Sequence, residues 1–145
     1  MFRVIAPETP VQFSSIFALR FAVLRAQWNQ PKGSECDQAE DSSIHAMIED
    51  EGGKCIATGR LQINSPEEAQ IRFMAVDPIW RGKRLGQMIL DYLESKAREK
   101  NCNQIVLQAR ENAVGFYQGL GYEVVEKSFL LFDEIQHFKM TKSLI

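Results

Sequence analysis

Apolar residues along the first part of the chain recur every three or four positions, which is the spacing of one helical face. A helix start is predicted at Thr9-Pro10, because threonine can cap, proline can take the first helical position and Gln12 can complete a capping box. Arg20 and Arg25 are expected to lie away from the apolar face. The residues predicted on that face are Phe13, Phe17, Phe21, Leu24 and Trp28.

Short runs with strand character surround this helix. Residues 2–5 predict a first edge strand, and residues 43–48 and 54–63 predict two further strands. The turn Asp50-Glu51-Gly52-Gly53 tolerates positive φ, so the latter two strands are expected to form a hairpin. Residues 29–43 are polar and rich in turn formers, and such a long segment serves as either a wall of a substrate site or a plain connector.

From residue 70 onward the pattern changes to strand, helix, strand, helix, strand. Strands are predicted at 71–76 and 104–108, and a short helix at 113–119. Glu94 and Arg98 are expected to pair across one helical turn, and Asn101 to form a left-handed cap. The long helix shows one face of Leu85, Met88, Ile89, Tyr92, Leu93, Lys96 and Ala97, and closing strands are predicted at 122–125 and 138–141.

This order of elements predicts an α/β (α+β) protein built on a mixed sheet. Its length of 145 residues is near the usual size of one domain, so a single domain over 1–145 is expected. A net charge of −2 gives no basic footprint and argues against a nucleic-acid partner. The basic residues at 81–84 are therefore a local feature that suits a small anionic ligand.

Three cysteines, Cys36, Cys55 and Cys102, show no C-x-x-C spacing, which favours neither a disulfide framework nor a metal site. Reduced thiols in a cytoplasmic protein are expected. The first residues lack the apolar core of a signal peptide, and no apolar run approaches about 18 residues, so no membrane association is predicted.

A glycine-containing loop at 81–86 opens the long helix. Such a loop presents unpaired backbone N–H groups and the positive end of the helix dipole, which favours a phosphate or pyrophosphate guest. No lysine and hydroxyl follow Gly86, as a Walker A loop requires, and the G-x-G-x-x-G dinucleotide fingerprint is missing. The sequence also shows no set of metal-binding aspartates such as a kinase needs.

The strand, the Asp-Pro turn, Arg-Gly-Lys-x-Leu-Gly at 81–86 and Asn-Ala-Val-Gly-Phe-Tyr-x-x-x-Gly-Tyr at 112–122 together resemble the GNAT family of acetyl-CoA-dependent N-acyltransferases. The resemblance covers about half of the chain in detail. Residues 33–35, 43–45 and 132–140 are similar to one bacterial branch of that family. The resemblance implies a mostly antiparallel sheet with a splayed pair of parallel strands, flanked by helices. It also implies acetyl-CoA as cosubstrate and no metal; dimers are common in the family, so a homodimer is a further expectation.

The same resemblance implies how the site works. The strand at 71–76 separates from the strand at 104–108, and pantetheine lies in the gap, bonded to backbone groups of Met74 and Val76. A backbone N–H near Met74 would polarise the thioester carbonyl, and Tyr117 matches the general acid that protonates the departing thiolate. The cofactor-binding set implied in this way is Met74, Ala75, Val76, Arg81, Gly82, Lys83, Arg84, Leu85, Gly86, Asn112 and Tyr117.

One residue of the loop departs from the family pattern, because Arg84 occupies the middle glycine position. A side chain there would crowd the pyrophosphate if the backbone needs positive φ, or would pair with a phosphate of the cofactor. Cofactor affinity is the property that this departure affects.

The acceptor is expected to be a primary amine of a small molecule or amino-acid-like compound, and such an amine must lose a proton before it attacks. His137, Glu35 and a water chain are the alternatives for the base, whereas His45 is expected to be structural. Arg72 should point away from Phe73 along the strand and either pair with Glu35, Asp37 or Glu111 or bind a substrate carboxylate. A non-catalytic CoA-binding or regulatory module of the same fold is the alternative to an enzyme.

Overall fold

A computed structural model describes residues 1–145 of the chain. It contains three α-helices and six strands, with short 3₁₀ turns at Ala26–Trp28, Pro78–Trp80 and Glu111–Ala113. In chain order the elements are α1 (Pro10–Leu24), β1 (Ile44–Glu49), β2 (Cys55–Ile63), β3 (Glu68–Val76), α2 (Leu85–Glu99), β4 (Gln104–Arg110), α3 (Val114–Gly119), β5 (Glu123–Leu131) and β6 (Ile135–Ser143).

The six strands form one sheet in the order β1-β2-β3-β4-β6-β5. Every neighbouring pair is antiparallel except β3 and β4, which are parallel and joined through α2. Alternate residues of β1 belong to different apolar clusters, Ala46 and Ile48 to one and Met47 to the other. Because successive strand residues face opposite sides, α2 and α1 cover opposite faces of the sheet. The predicted mixed α/β class is confirmed.

The parallel strands separate towards their carboxyl ends. β3 and β4 pair only from Glu68 to Ile71, opposite Gln104 to Leu107. On the other side of β3, the register with β2 shifts between Thr58 and Arg60, and Phe73 adopts a left-handed backbone with φ of 56°. This β-bulge turns the end of β3 away from β4. The predicted splayed pair of parallel strands is therefore present, and its gap lies beside the bulge.

The predicted edge strand at 2–5 is wrong. Only Ile5 joins the sheet, through two backbone hydrogen bonds of 2.9 Å with Met47. Pro7 has no N–H to continue a ladder, and α1 begins at Pro10, so the pairing cannot extend towards the helix.

The start of α1 is as predicted, but its buried face is not. Thr9 Oγ1 accepts from Gln12 N and Gln12 Oε1 accepts from Thr9 N, each at 3.1 Å, which completes the capping box. The buried positions of the helix are Ile16, Leu19, Arg20 and Leu24, while the three phenylalanines are half-buried and Trp28 lies beyond the helix end. Arg20 is buried because its charge has partners inside the protein, which periodicity does not register.

The pattern of the second half is confirmed with one exception. Asn101 adopts the predicted left-handed conformation with φ of 63°, and the closing strands are longer than expected. Glu94 does not pair with Arg98. It is buried and accepts hydrogen bonds from Lys142 Nζ at 3.0 Å and Tyr122 Oη at 2.9 Å, so it connects α2 to β6. A partner distant in sequence overrides the local pair.

Candidate active site

A cleft of about 660 Å³ opens where β3 leaves β4. The end of β3, the loop that opens α2 and the start of α3 line it together. Of the residues assigned to the cofactor by resemblance, the cleft is lined by Met74, Ala75, Val76, Arg81, Gly82, Arg84, Leu85, Gly86, Asn112 and Tyr117. Lys83 is exposed and does not line the cleft. The structure thus brings two separated motifs to one cavity.

The loop at 81–86 has the geometry of an anion site. Asp77 Oδ1 accepts from Ile79 N at 3.0 Å and holds the preceding turn, and α2 then begins at Leu85 with no side-chain cap. The backbone N–H groups of the first helical turn are therefore not occupied by a capping side chain. Together with the helix dipole, they make this end of the cleft attractive to a phosphate group.

Arg84 lies at the helix start with φ of 62°, a conformation that favours glycine. Its side chain is exposed and lines the cleft. The backbone thus adopts a geometry that suits glycine, and the arginine places a cation at the end of the cleft that favours an anion.

Tyr117 lies in α3 with 7% of its surface exposed. Its ring packs edge-on against Phe116 and Tyr122, with centroids 5.1 and 5.7 Å away. Burial raises the pKa of the Tyr117 phenol well above its usual range, so the hydroxyl keeps its proton at neutral pH. In contrast to Tyr122, whose hydroxyl donates to Glu94, Tyr117 borders the cavity and can offer its proton there.

A second, smaller cleft of about 320 Å³ adjoins the first one. It lies across the sheet from β3 to the β5–β6 hairpin, between Phe73 and Phe129. Five residues line both clefts: Leu24, Met74, Arg110, Ala113 and Tyr117. Two cavities that share Tyr117 and the end of β3 can hold two ligands whose reactive ends meet there.

His137 lines the second cleft, where β6 pairs with the end of β4. Its Nδ1 donates to the carbonyl oxygen of Ile135 at 3.0 Å, so in the neutral ring Nε2 carries the lone pair. The ring stacks on Phe129 with centroids 4.4 Å apart. Burial, and then the charges of Arg110 and Arg25, lower the pKa of His137, which keeps the imidazole neutral and able to accept a proton.

Glu35, the other candidate for the base, and His45, which was expected to be structural, lie outside the two clefts. Glu35 lines neither cleft, and its carboxylate accepts from Gly33 N at 2.8 Å. His45 is buried, with Nε2 2.8 Å from the carbonyl oxygen of Glu40 and its ring edge-on to Phe13. Burial lowers the pKa of His45, so it is a neutral structural histidine.

The predicted orientation of Arg72 is wrong. Its guanidinium lies 4.8 Å from the centroid of Phe73, on the same side of the strand, because the bulge interrupts the alternation of side chains. Of the partners considered for Arg72, the structure selects Asp37, whose Oδ2 accepts from Nη1 at 2.9 Å.

The segment 29–43 is held by ion pairs that the sequence pattern did not reveal. Arg60 is buried and pairs with Asp37 and Glu40, the latter at 2.9 Å, and Arg20 pairs with Glu40 at 2.9 Å. The hydrogen bond from Arg60 lowers the pKa of Asp37 to about 2. No residue of this segment lines either cleft, so it supports the bulge from behind and does not form the substrate wall itself.

No sequence pattern singled out Arg25 and Arg110 as cleft residues. Arg110 ends β4, directly before the 112–122 motif, and this position at a strand end was the available signal. Arg25 was only predicted to lie off the apolar face of α1. It follows the end of that helix and lines the second cleft.

The profile of the Acetyltransferase (GNAT) family matches residues 13–122, so the chain belongs to this family and is an acetyl-CoA-dependent acyltransferase. It is 28% identical over 131 residues to the uncharacterized N-acetyltransferase YjcF of Bacillus subtilis, covering 90% of this chain and 92% of that protein. Two solved structures share its fold at 16% identity over 98% of this chain and 97% of theirs. They are the aminoglycoside 6'-N-acetyltransferase from Enterococcus faecium, with a TM-score of 0.78, and a GNAT family acetyltransferase from Elizabethkingia anophelis with acetyl-CoA bound, with a TM-score of 0.77.

No group of three or more His, Cys, Asp or Glu side chains is arranged to hold a metal ion. None of the helices combines the length and the apolar content needed to cross a membrane.

Proposed function

We propose that the chain transfers an acetyl group from acetyl-CoA to a primary amine of a small molecule or amino-acid-like acceptor by direct attack. The observation that carries this proposal is the position of Tyr117, which lines both clefts. One cleft then receives the cofactor and the other the acceptor.

In the first cleft, the loop at 81–86 binds the pyrophosphate through helix N–H groups and Arg84. The backbone of Met74, Ala75 and Val76, which does not pair with β4, bonds the pantetheine arm as an added strand would, and Asn112 contacts it from the opposite wall. A backbone N–H at Met74 polarises the thioester carbonyl as charge develops on its oxygen.

In the second cleft, His137 Nε2 takes the proton that the amine must lose, directly or through a water molecule. The amine nitrogen forms the new C–N bond, the C–S bond breaks, and Tyr117 gives its proton to the departing thiolate. Burial raises the pKa of Tyr117, and the same apolar surroundings raise that of a thiol, so donor and acceptor remain matched.

An assay of CoA release over amines, amino acids, polyamines and aminoglycosides tests the proposal, together with the thermal midpoint measured with acetyl-CoA. We expect acetyl-CoA to raise the midpoint by mass action and at least one amine to release CoA. The alternative, a non-catalytic CoA-binding module, predicts the same rise in the midpoint without release for any amine.

The Tyr117→Phe variant tests the assigned acid. We expect kcat to fall by about 100-fold, because the phenol proton is lost, while the affinity for acetyl-CoA changes little. Tyr92→Phe, on α2 outside both clefts, is the matched control and should keep full activity. Equal turnover by Tyr117→Phe would remove Tyr117 from this role.

A further inference from the structure

The second cleft has an uneven charge. Three arginines line it, Arg25, Arg72 and Arg110, and no aspartate or glutamate does. Arg72 forms an ion pair at 2.9 Å with Asp37, a carboxylate that it shares with Arg60. No carboxylate lies within 4.0 Å of Arg25 or Arg110. Two of the three cations therefore have no counter-ion within the protein.

Arg25 and Arg110 are held towards each other by one backbone oxygen. The carbonyl of Leu24 accepts from Arg25 Nη1 at 3.0 Å and from Arg110 Nη2 at 3.1 Å. Arg25 Nε also donates to the carbonyl of Ser34 at 3.0 Å, and Arg110 stacks on Trp28 with 4.6 Å to the ring centroid. The two guanidiniums are thus anchored by neutral carbonyls and aromatic rings, and no carboxylate bonds to either of them.

Charged side chains inside proteins are usually paired with an opposite charge, and these two arginines are not. A partly buried cation without a carboxylate is costly, and a second cation beside it adds repulsion. The negative charge of Glu35 attracts Arg25 from a distance, but the Glu35 carboxylate accepts its hydrogen bond from Gly33 N and not from Arg25. Burial lowers the pKa of both arginines, and each lies close enough to other arginine charge to be lowered further. An anion in the cleft would relieve both costs.

Arg25 and Arg110 still have unused N–H groups with which they can bind an anion in the cleft. Each guanidinium has five N–H groups, and the Leu24 and Ser34 carbonyls occupy only some of them. The protein's sealed, unpartnered side-chain nitrogens are Arg20 Nε and Arg60 Nε, so the unused nitrogens of Arg25 and Arg110 remain accessible. A carboxylate fits between two such planar donors.

We propose that the acceptor is a small amine that also carries a carboxylate, bound by Arg25 and Arg110. Its amine then faces His137, which is the register partner of Arg110 on β6, and its apolar part lies against Phe129 and Leu131. A polycation such as a polyamine or an aminoglycoside meets two uncompensated arginines and no carboxylate. This proposal rests on the acetyltransferase function but concerns the acceptor alone.

The test compares matched acceptors. Amino acids with the carboxylate at different distances from the amine are assayed for CoA release beside their decarboxylated amines. Spermidine, an aminoglycoside and 2-aminoethylphosphonate are assayed with them. We expect kcat/KM to be about 10- to 100-fold higher for the best carboxylated amine than for its decarboxylated partner, as one charge-assisted contact provides. The phosphonate arm distinguishes a site for carboxylates from one for anions in general.

Two variants locate the effect. In Arg110→Gln and Arg25→Gln the preference for the carboxylated amine should fall towards unity, while Arg98→Gln on the exposed face of α2 keeps it. Because the readout is a ratio of two substrates, a general loss of stability or of cofactor affinity cancels. Arg110→Lys should recover part of the ratio through its charge.

Binding is measured separately from turnover, as the rise in thermal midpoint that each acceptor produces with and without CoA. If no amine releases CoA, the acetyltransferase function fails, yet a rise given by carboxylated compounds only, and lost in Arg110→Gln, still supports the anion site. Equal kcat/KM and equal midpoint shifts for an amino acid and its decarboxylated amine would overturn the proposal. So would a preference for polycations or for the phosphonate, or a ratio unchanged by both substitutions.

Discussion

Two residues that line the clefts adopt a left-handed backbone without being glycine. They are Phe73, with φ of 56°, and Arg84, with φ of 62°. Such a conformation costs about 1–2 kcal/mol for an L-residue and persists only where other contacts hold it. Four guanidiniums, those of Arg20, Arg25, Arg60 and Arg72, lie between 4.5 and 5.7 Å from the centroid of Phe73 and hold that residue in place.

Arg84 has no such cluster around it, so we expect the residue to contribute to ligand binding and not to stability. We expect Arg84→Gly to raise the free energy of unfolding by about 1 kcal/mol, because glycine adopts positive φ without a steric penalty. The variant should also bind acetyl-CoA about tenfold more weakly, because a charge-assisted contact to phosphate is lost. Urea denaturation and calorimetric titration measure the two effects.

Arg84→Ala is the control for this experiment, since it removes the charge but keeps the strained backbone. Its affinity should fall as in Arg84→Gly without the gain in stability. Tighter binding by Arg84→Gly would mean that the arginine crowds the pyrophosphate.

His137 should be visible in the pH dependence of the rate. Because burial lowers its pKa below the usual 6.5, the imidazole stays in the free-base form at neutral pH and is protonated only in acid. We expect kcat/KM to fall on the acid side with an apparent pKa below 6.5, and His137→Gln to lower the rate and remove this acid limb. An unchanged acid limb in the variant would show that the base is not His137 but water or another group.

At the scale of elements, the bulge in β3 connects the fold to the first cleft. It separates β3 from β4, and Gly59 of β2 lies where the register shifts, between Thr58 and Arg60. A Cβ on Gly59 would lie 2.5 Å from Met74 Sδ and 2.8 Å from Ile89 Cγ2. Met74 of β3 and Ile89 of α2 therefore leave no space for a side chain at this position.

The Gly59→Ala variant tests that packing. We expect a loss of about 1–3 kcal/mol in the free energy of unfolding, because Met74 and α2 must move, with weaker acetyl-CoA binding as the strand edge shifts. Gly115→Ala in α3 is the matched control. A Cβ there meets nothing within 4 Å, and alanine is the better helix former, so stability should stay level or rise by about 0.5–1 kcal/mol. Equal effects of the two substitutions would contradict the close packing.

For the whole molecule, the buried ion pairs and histidines make stability dependent on acid. The folded pKa values of His45 and His137 are lowered, so the unfolded chain takes up protons first as the pH falls below about 6.5, and stability begins to decline there. Asp37 has a folded pKa of about 2 against an ordinary 3.8. Its contribution is complete above its ordinary pKa and is lost as the pH falls from there towards 2.

Urea midpoints measured from pH 7 to pH 3 should therefore fall in two stages. We expect Asp37 to account for at most about 2 kcal/mol of the loss at the lowest pH. Asp37→Asn should be less stable at pH 7, because Arg60 loses its ion pair, and less sensitive to acid below about pH 4. The same slope in this variant would place the acid sensitivity in other groups.

Local patterns were sufficient for much of this protein. The capping box at Thr9, the β1–β2 hairpin, the left-handed cap at Asn101 and the strand–loop–helix at 71–99 depend on residues close in sequence, so their spacing alone predicted them. The two motifs that indicated the acetyltransferase family are of the same kind. The single domain, the homodimer, the cytoplasmic location and the lack of a nucleic-acid partner stay predictions from the sequence.

Only the tertiary structure decided which distant residues meet. Periodicity placed Arg20 outside the core, paired Glu94 with Arg98 and turned Arg72 away from Phe73, and each was wrong because a charged partner or a bulge elsewhere in the chain overrides local spacing. The meeting of Arg25 with Arg110, which are 85 positions apart, left no pattern in the sequence for the same reason. Spacing along the chain records neighbours on a helix or a strand, whereas the charge of a cleft is the sum of residues that only folding brings together.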